Sequence, residues 1–153
     1  MKRFFAVFVF SVFFISFSMR AFPHCQVPCG IYNDEMRFEM MDEDIDTIEK
    51  SMKMIIELSG EKDKHLNQIV RWVNNKDHHA DKLAETVTYY FMAQRLEPPE
   101  KKDKAYRAYL NKLALWHELL FCAMKSKQTT DLGYIEKMRV IVEELEPLTL
   151  GKT

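Results

Sequence analysis

The residues with the clearest potential for chemistry lie close together near the start of the chain. His24, Cys25 and Cys29 bring one imidazole and two thiols within six residues. Pro28 fixes one backbone torsion angle, and Gly30 tolerates conformations that are closed to other residues. The segment can therefore curl until both sulfur atoms face a common point, where a soft transition metal would find suitable ligands.

Spacing alone leaves three interpretations of these thiols open: a disulfide, a metal site such as a zinc site, and no role. A Cys25–Cys29 disulfide suits an exported protein, because exported chains commonly pair their cysteines. Structural zinc sites use four nitrogen or sulfur ligands, and usually a second pair of Cys or His residues. The two thiols could also have no role. The third cysteine, Cys122, lies in a strongly helical pattern and is predicted to be a buried apolar residue.

The residues before His24 have the composition of an export signal. A basic start precedes an apolar run from Phe4 to Met19 that only serines interrupt. This run is short for a membrane span, so we predict that residues 1–23 are a cleaved leader, with a single N-terminal anchor as the alternative. Pro23 next to the cut is unfavourable for ordinary signal peptidase. Either cleavage occurs elsewhere or a dedicated leader-processing protease acts.

Cleavage before His24 would change the ligands that the segment offers. The α-amine of His24 and the backbone amide nitrogen of Cys25 would become adjacent nitrogen donors. With the thiolates of Cys25 and Cys29 they make a planar set of two nitrogen and two sulfur atoms. Planar coordination suits Ni(II) or Cu(II), whereas zinc prefers a tetrahedron. The His24 imidazole stays free to approach the metal from above.

The part of the chain that follows this segment, and would position it, is predicted to be helical. Past Tyr32, apolar residues recur at helical spacing in four blocks. The blocks run through Phe38, Met41, Ile45, Ile48, Met52 and Ile55; through Leu66, Ile69, Val73, Ala80, Leu83, Val87 and Tyr90; through Tyr106, Tyr109, Leu113, Trp116, Leu120 and Ala123; and through Ile135, Met138, Val142 and Leu145. Four amphipathic blocks with short connections predict an all-α, up-down four-helix bundle.

Glycine and proline residues set the expected boundaries of these helices. Gly60, Pro98 and Pro147 mark the predicted ends of the first, second and fourth helices. The second block skips Lys76, where an apolar residue would be expected. The chain is thus divided into the leader, a metal-binding hook at 24–32 and a bundle at 33–153.

Charge and histidine spacing exclude two other classes of function. The formal net charge is −1 for the chain and −4 for residues 24–153, so there is no electrostatic case for binding nucleic acid. A di-iron site in a bundle needs Glu-x-x-His pairs, and no Glu is followed by His three residues later. The remaining histidines, His65, His78, His79 and His117, are predicted to be solvated or at the edge of the core.

The nine residues from His24 to Tyr32, HCQVPCGIY, resemble the start of the nickel-containing superoxide dismutases. In that family the pattern His-Cys-x-x-Pro-Cys-Gly-x-Tyr opens the mature chain and binds nickel. The resemblance implies one nickel ion per subunit, with Cys25 and Cys29 as thiolate ligands. It implies that His24 supplies its amine and, in the oxidised state, an axial imidazole. It also implies that the subunits assemble into a homohexamer.

The resemblance implies roles for three more residues, and the sequence departs from the family at a fourth. Pro28 would shape the turn of the hook, typically through a cis peptide bond. Tyr32 would stand over the open face of the metal, where it restricts access and orders water. Glu39 would orient the imidazole of His24, with a one-residue gap in the correspondence. Gln26 stands where the family commonly has an acid. No residue is placed as the basic partner of the imidazole.

The implied activity is conversion of superoxide to dioxygen and hydrogen peroxide, with nickel alternating between Ni(II) and Ni(III). Two alternatives stand beside it: an exported, non-enzymatic bundle with a Cys25–Cys29 disulfide, and a metal carrier that uses the same hook without turnover. The apolar leader favours export to the periplasm or the medium, and a cytoplasmic or organellar location after leader removal is the alternative. No association with a membrane is expected after processing.

Overall fold

Helices make up most of the protein, whose computed structural model describes residues 26–151. Within this range the α-helices are α1 (Asp34–Leu58), α2 (Lys62–Glu85), α3 (Tyr106–Gln128) and α4 (Gly133–Leu150). A short 3-10 turn, Ser59–Glu61, joins α1 to α2, and a π-helical segment, Thr86–Arg95, continues α2. Residues 26–151 contain no strand. The prediction of an all-α four-helix bundle is confirmed.

The helices close into a ring around one interior. α1 packs against α2 and α4, and α3 packs against the same two helices. Each helix packs against the helices next to it in the chain, which is the order expected for an up-down bundle. Over the part of the chain that the structure describes, no helix combines the length and apolar character that crossing a membrane requires.

Most residues of the predicted apolar seams lie in the core, but the third block contributes only Trp116 and Ala123 to it. All six residues of the first block and all four of the fourth block are buried. The α2 seam is buried only from Ala80 onward, and Leu66 at its start is 61% exposed. Phe91 and Trp116 stack at the centre with ring centroids 4.4 Å apart. Cys122 is 2% exposed, which confirms its prediction as a buried residue.

Lys76 interrupts the apolar pattern of α2 and is nevertheless buried, with 2% of its surface exposed. Its ammonium group donates hydrogen bonds to the carbonyl oxygens of Ser126 and Lys127, at 2.6 and 2.8 Å. A carboxylate oxygen of Asp77 lies 2.9 Å away. The carbonyl groups at the C-terminal end of a helix lack partners within the helix. Lys76 therefore fits into the seam because it caps the end of α3.

The predicted end of the fourth helix at Pro147 is wrong, because α4 continues to Leu150 with Pro147 inside it. A proline removes one hydrogen bond, to the carbonyl oxygen four residues earlier. That residue, Glu143, is exposed, so water can replace the missing donor. The helix ends instead at Gly151, whose φ of +66° is left-handed.

Candidate functional site

The hook lies only partly within the described residues. His24 and Cys25, two of the predicted metal ligands, lie outside them. Cys29, the third ligand, is exposed. The Val27–Pro28 peptide bond is cis, as the resemblance implies, and Gly30 has a φ of +77°. The described end of the hook is therefore a surface turn that presents a thiol to solvent.

The side chain of Tyr32 is held against the bundle although the turn before it is exposed. Ile31 is 81% exposed, whereas Tyr32 is 39% exposed. The guanidinium carbon of Arg95 lies 4.5 Å from the centroid of the Tyr32 ring. The ring of Tyr90 meets it edge-on, at 5.8 Å between centroids and an interplanar angle of 84°. Tyr32 thus has a cation over its ring and a second aromatic ring against its side.

Asp34 connects Tyr90 and Arg95, and these three residues are called the Asp34 anchor below. The hydroxyl of Tyr90 donates to Oδ1 of Asp34 at 2.6 Å. Arg95 binds both carboxylate oxygens, with Nε 2.9 Å from Oδ1 and Nη2 2.7 Å from Oδ2. Such a two-point pair fixes the orientation of a guanidinium better than a single contact does. The anchor joins the start of α1 to the end of the π-helical segment.

Asn33 places this anchor directly after the hook. Its side chain accepts a hydrogen bond from the backbone N–H of Met36 at 3.1 Å, which caps α1. Its own backbone N–H donates to the hydroxyl of Tyr90 at 2.9 Å. The chain is therefore fixed to the bundle at the residue that follows Tyr32.

The ionisation of the anchor follows from these contacts. Burial raises the pKa of Asp34, but the hydrogen bonds from Arg95 and Tyr90 outweigh burial and leave that pKa below its usual value. Burial and the hydrogen bond to the Asp34 carboxylate raise the pKa of Tyr90 to about 12. The pKa of Arg95 is raised by its pairing with the same carboxylate. At neutral pH the anchor is an ion pair with a neutral phenol.

Two of the anchor residues were missed by the sequence analysis, and Tyr90 was assigned only to the core. Asp34 looks like an ordinary acid in the first turn of a helix, and Arg95 like an ordinary base in a last turn. Neither type is unusual at its place, because both complement the helix dipole. No sequence signal connects residues that are 61 positions apart.

The other predicted residues lie apart from the anchor. Glu39 is exposed on α1, and no described contact joins it to the hook. His79 is bonded through Nδ1 to the buried carboxylate of Asp44 at 2.6 Å, between α1 and α2. His65, His78 and His117 are exposed or partly exposed, as predicted. Among residues 26–151 no group of three or more His, Cys, Asp or Glu side chains could hold a metal ion.

These features define a class: an all-α bundle that carries an exposed, thiol-bearing segment at the N-terminal end of its first helix. A family model described as nickel-containing superoxide dismutase matches residues 19–149 of the chain. The match covers the hook and nearly all of the bundle, and the chain belongs to this family. Its members are oxidoreductases with a nickel cofactor and superoxide as substrate. Neither the curated proteins nor the solved structures gave a significant match.

Proposed function

We propose that the hook, residues 24–32, is the nickel site of this enzyme, and that it forms when the leader is removed before His24. The α-amine of His24, the amide nitrogen of Cys25 and the thiolates of Cys25 and Cys29 would hold the metal in a plane. The imidazole of His24 would add an axial ligand in the oxidised state. The exposed thiol of Cys29 is the described observation that supports this ligand set most directly.

The chemistry of these donors fits nickel. Two anionic sulfur atoms and two nitrogen atoms in a plane match the geometry that Ni(II) accepts. Nickel, when bound, would supply the one-electron redox centre by alternating between Ni(II) and Ni(III). Gly30, with its φ of +77°, gives the turn a backbone conformation that side-chain-bearing residues rarely adopt.

Tyr32 would control access to the hook. Two superoxide ions and two protons give one dioxygen and one hydrogen peroxide, so each cycle must bring in both small anions and protons. Tyr32 follows Cys29 by three residues, and its ring is partly exposed yet fixed by Tyr90 and Arg95. A fixed phenol beside the metal would order the water that carries protons. It would also limit the peroxide that reaches the thiolates, which are open to oxidation.

A carboxylate close to the hook would orient the axial imidazole, and Glu39 remains our proposal for that role. Its position on the second turn of α1 and its exposed side chain support the assignment. Metal-bound histidines commonly donate their second ring N–H to such a group.

We also propose that the mature enzyme is exported and forms a homo-oligomer, a hexamer by resemblance to the family. The apolar leader supports export. An apolar stripe on the first half of α2 supports assembly: Leu66 and Val70 are 61% and 48% exposed, and Ile69 and Val73 are partly exposed. Spacings of three and four residues place these side chains on one helix face, which a second subunit would cover.

The intact mass, N-terminal sequence and nickel content of the purified protein test the proposal. We expect a chain that begins at His24, holds about one nickel per subunit and removes superoxide. The same material, examined by light scattering, should have the mass of six subunits. A chain that begins upstream of His24, or one that lacks metal and is lighter by two hydrogens, would exclude the hook and favour a Cys25–Cys29 disulfide.

A further inference from the structure

Tyr32, the last residue of the hook, contacts a side chain from the end of the π-helical segment. Arg95 lies 61 residues after Asp34 in the chain and covers the Tyr32 ring with its guanidinium at 4.5 Å. Planar stacking of a guanidinium on an aromatic ring is favourable and depends on the orientation of both groups. The orientation of Arg95 therefore bears directly on the orientation of Tyr32.

The π-helical segment explains how Tyr90 and Arg95 reach the same carboxylate. They are five residues apart, and in an α-helix of 3.6 residues per turn such side chains diverge by roughly 140°. In Thr86–Arg95 the hydrogen bonds run to the fifth residue, as between the N–H of Leu96 and the carbonyl of Phe91 at 2.9 Å. A residue and its fifth neighbour then lie on the same face of the helix. The segment thus places both groups on Asp34.

Arg95 does not act as a free positive charge. Asp34 neutralises it through two hydrogen bonds, and the side chain of Asp34 is only 11% exposed. Attraction of a distant anion depends on net charge in the neighbourhood, which this ion pair does not supply. What the pair supplies is geometry: a planar group fixed at two points and laid over the Tyr32 ring.

We propose that Arg95, held by Asp34, is a positioning residue for superoxide dismutation that keeps the Tyr32 ring over the hook. The inference rests on the proposed function of Tyr32 and adds the group that sets the position of its ring. Loss of Arg95 should lower turnover only because Tyr32 is no longer held in place. Nickel binding and the helical fold should be unaffected, because the described contacts of Arg95 are with Tyr32 and Asp34 and not with Cys29.

A double-mutant cycle between Arg95→Gln and Tyr32→Ala tests this coupling in the nickel-loaded enzyme. With activity expressed per bound nickel, Arg95→Gln should lower kcat/KM roughly fivefold in the wild-type background. In the Tyr32→Ala background the same change should have no further effect. Equal losses in both backgrounds would overturn the inference while leaving the proposed function intact. A wild-type enzyme without dismutation would instead overturn the proposed function, and the inference with it.

Two further variants separate position from charge. Arg95→Lys keeps the charge but loses the planar stack and the two-point pairing, so it should lose as much activity as Arg95→Gln. Full activity in Arg95→Lys would show that charge alone suffices and would overturn the inference. Arg107→Gln removes the same charge from an exposed position on α3 and is the matched control. It should retain the wild-type kcat/KM.

A readout that needs no activity uses the nickel-free protein labelled with 3-fluorotyrosine. The ¹⁹F resonance of Tyr32, assigned by its loss in Tyr32→Phe, should move towards the position of a free tyrosine in Arg95→Gln and in Asp34→Asn. Arg107→Gln should leave the Tyr32 signal unchanged. An unchanged Tyr32 resonance in Arg95→Gln would overturn the inference. Thermal unfolding of each variant confirms that the signal comes from folded protein.

Discussion

The core of the bundle and the start of α1 hold their residues in different ways. In the core, large apolar side chains such as Phe91 and Trp116 are 0–1% exposed and packed face to face. At the start of α1, Tyr32 is partly exposed and is oriented by an ion pair, a phenol and a helix cap. Burial of apolar surface is strong but non-directional, whereas hydrogen bonds to charged groups are directional.

This difference assigns separate tasks to the two regions. The core stabilises the scaffold, and the Asp34 anchor holds the side chain of Tyr32. Changes in the hook should therefore abolish function without unfolding the protein. Changes in the core should lower the stability of the fold, while the molecules that remain folded keep their nickel. The following experiments test that separation, beginning with the largest expected effect.

Cys29→Ser should abolish nickel binding and superoxide removal while leaving the helical content unchanged. The thiolate is the proposed ligand, and its side chain is exposed, so the core loses nothing. Cys122→Ser is the matched control: it should retain nickel, but burial of a hydroxyl should lower stability by about 1–3 kcal/mol. Nickel analysis and circular dichroism check both. Unfolding of Cys29→Ser would show that Cys29 has a structural role, such as a disulfide.

Trp116→Ala should lower the free energy of unfolding by about 3–5 kcal/mol, because it removes a large buried ring and leaves a cavity against Phe91. Denaturant titration measures the loss. The molecules that remain folded should still bind nickel with wild-type stoichiometry. A folded variant without nickel would show that the core and the hook are coupled, contrary to the separation proposed here.

Tyr90→Phe should lower stability at neutral pH by about 1–2 kcal/mol, because Asp34 and the N–H of Asn33 lose a partner. The pKa of Tyr90 is about 12, above its ordinary value of 10.0, so the folded state favours the protonated phenol. This contribution is complete below pH 10 and is lost as the pH rises to about 12. The stability gap between wild type and variant should narrow over that range. A stability difference that stays constant over this pH range would contradict the role of the protonated Tyr90 hydroxyl as a donor to Asp34.

Gly30→Ala should have the smallest effect, about fivefold weaker nickel binding. Among the described residues, a Cβ at Gly30 meets no atom within 4 Å, so the expected cost is that of the φ of +77°, about 1 kcal/mol. Gly60→Ala is the control, since Gly60 has equal space around it and no left-handed backbone. Competition with a chelator measures both affinities. Equal affinities in the two variants would mean that nickel binding does not require the left-handed backbone conformation of Gly30.

The fold could be predicted largely from the sequence, because each apolar seam is a local pattern. The six residues from Phe38 to Ile55 repeat at steps of three and four, and all are buried. The pattern failed where a distant contact decided the outcome. Lys76 belongs to the seam only because the carbonyl groups of Ser126 and Lys127 lie opposite it. The start of α2 remains exposed although its apolar spacing is regular.

The chemistry that this protein can offer follows from its amino-acid sequence alone: two thiols, an imidazole, a proline and a glycine lie within seven residues, ahead of four amphipathic segments. Types and spacing suffice for that, because ligands from one short segment need no distant part of the chain to bring them together. How Tyr32 is held, in contrast, depends on the folding of distant parts of the chain onto one another. Its supports, Tyr90 and Arg95, come from a π-helical segment that reaches Asp34 of α1, and a contact between such distant residues cannot be read from local spacing.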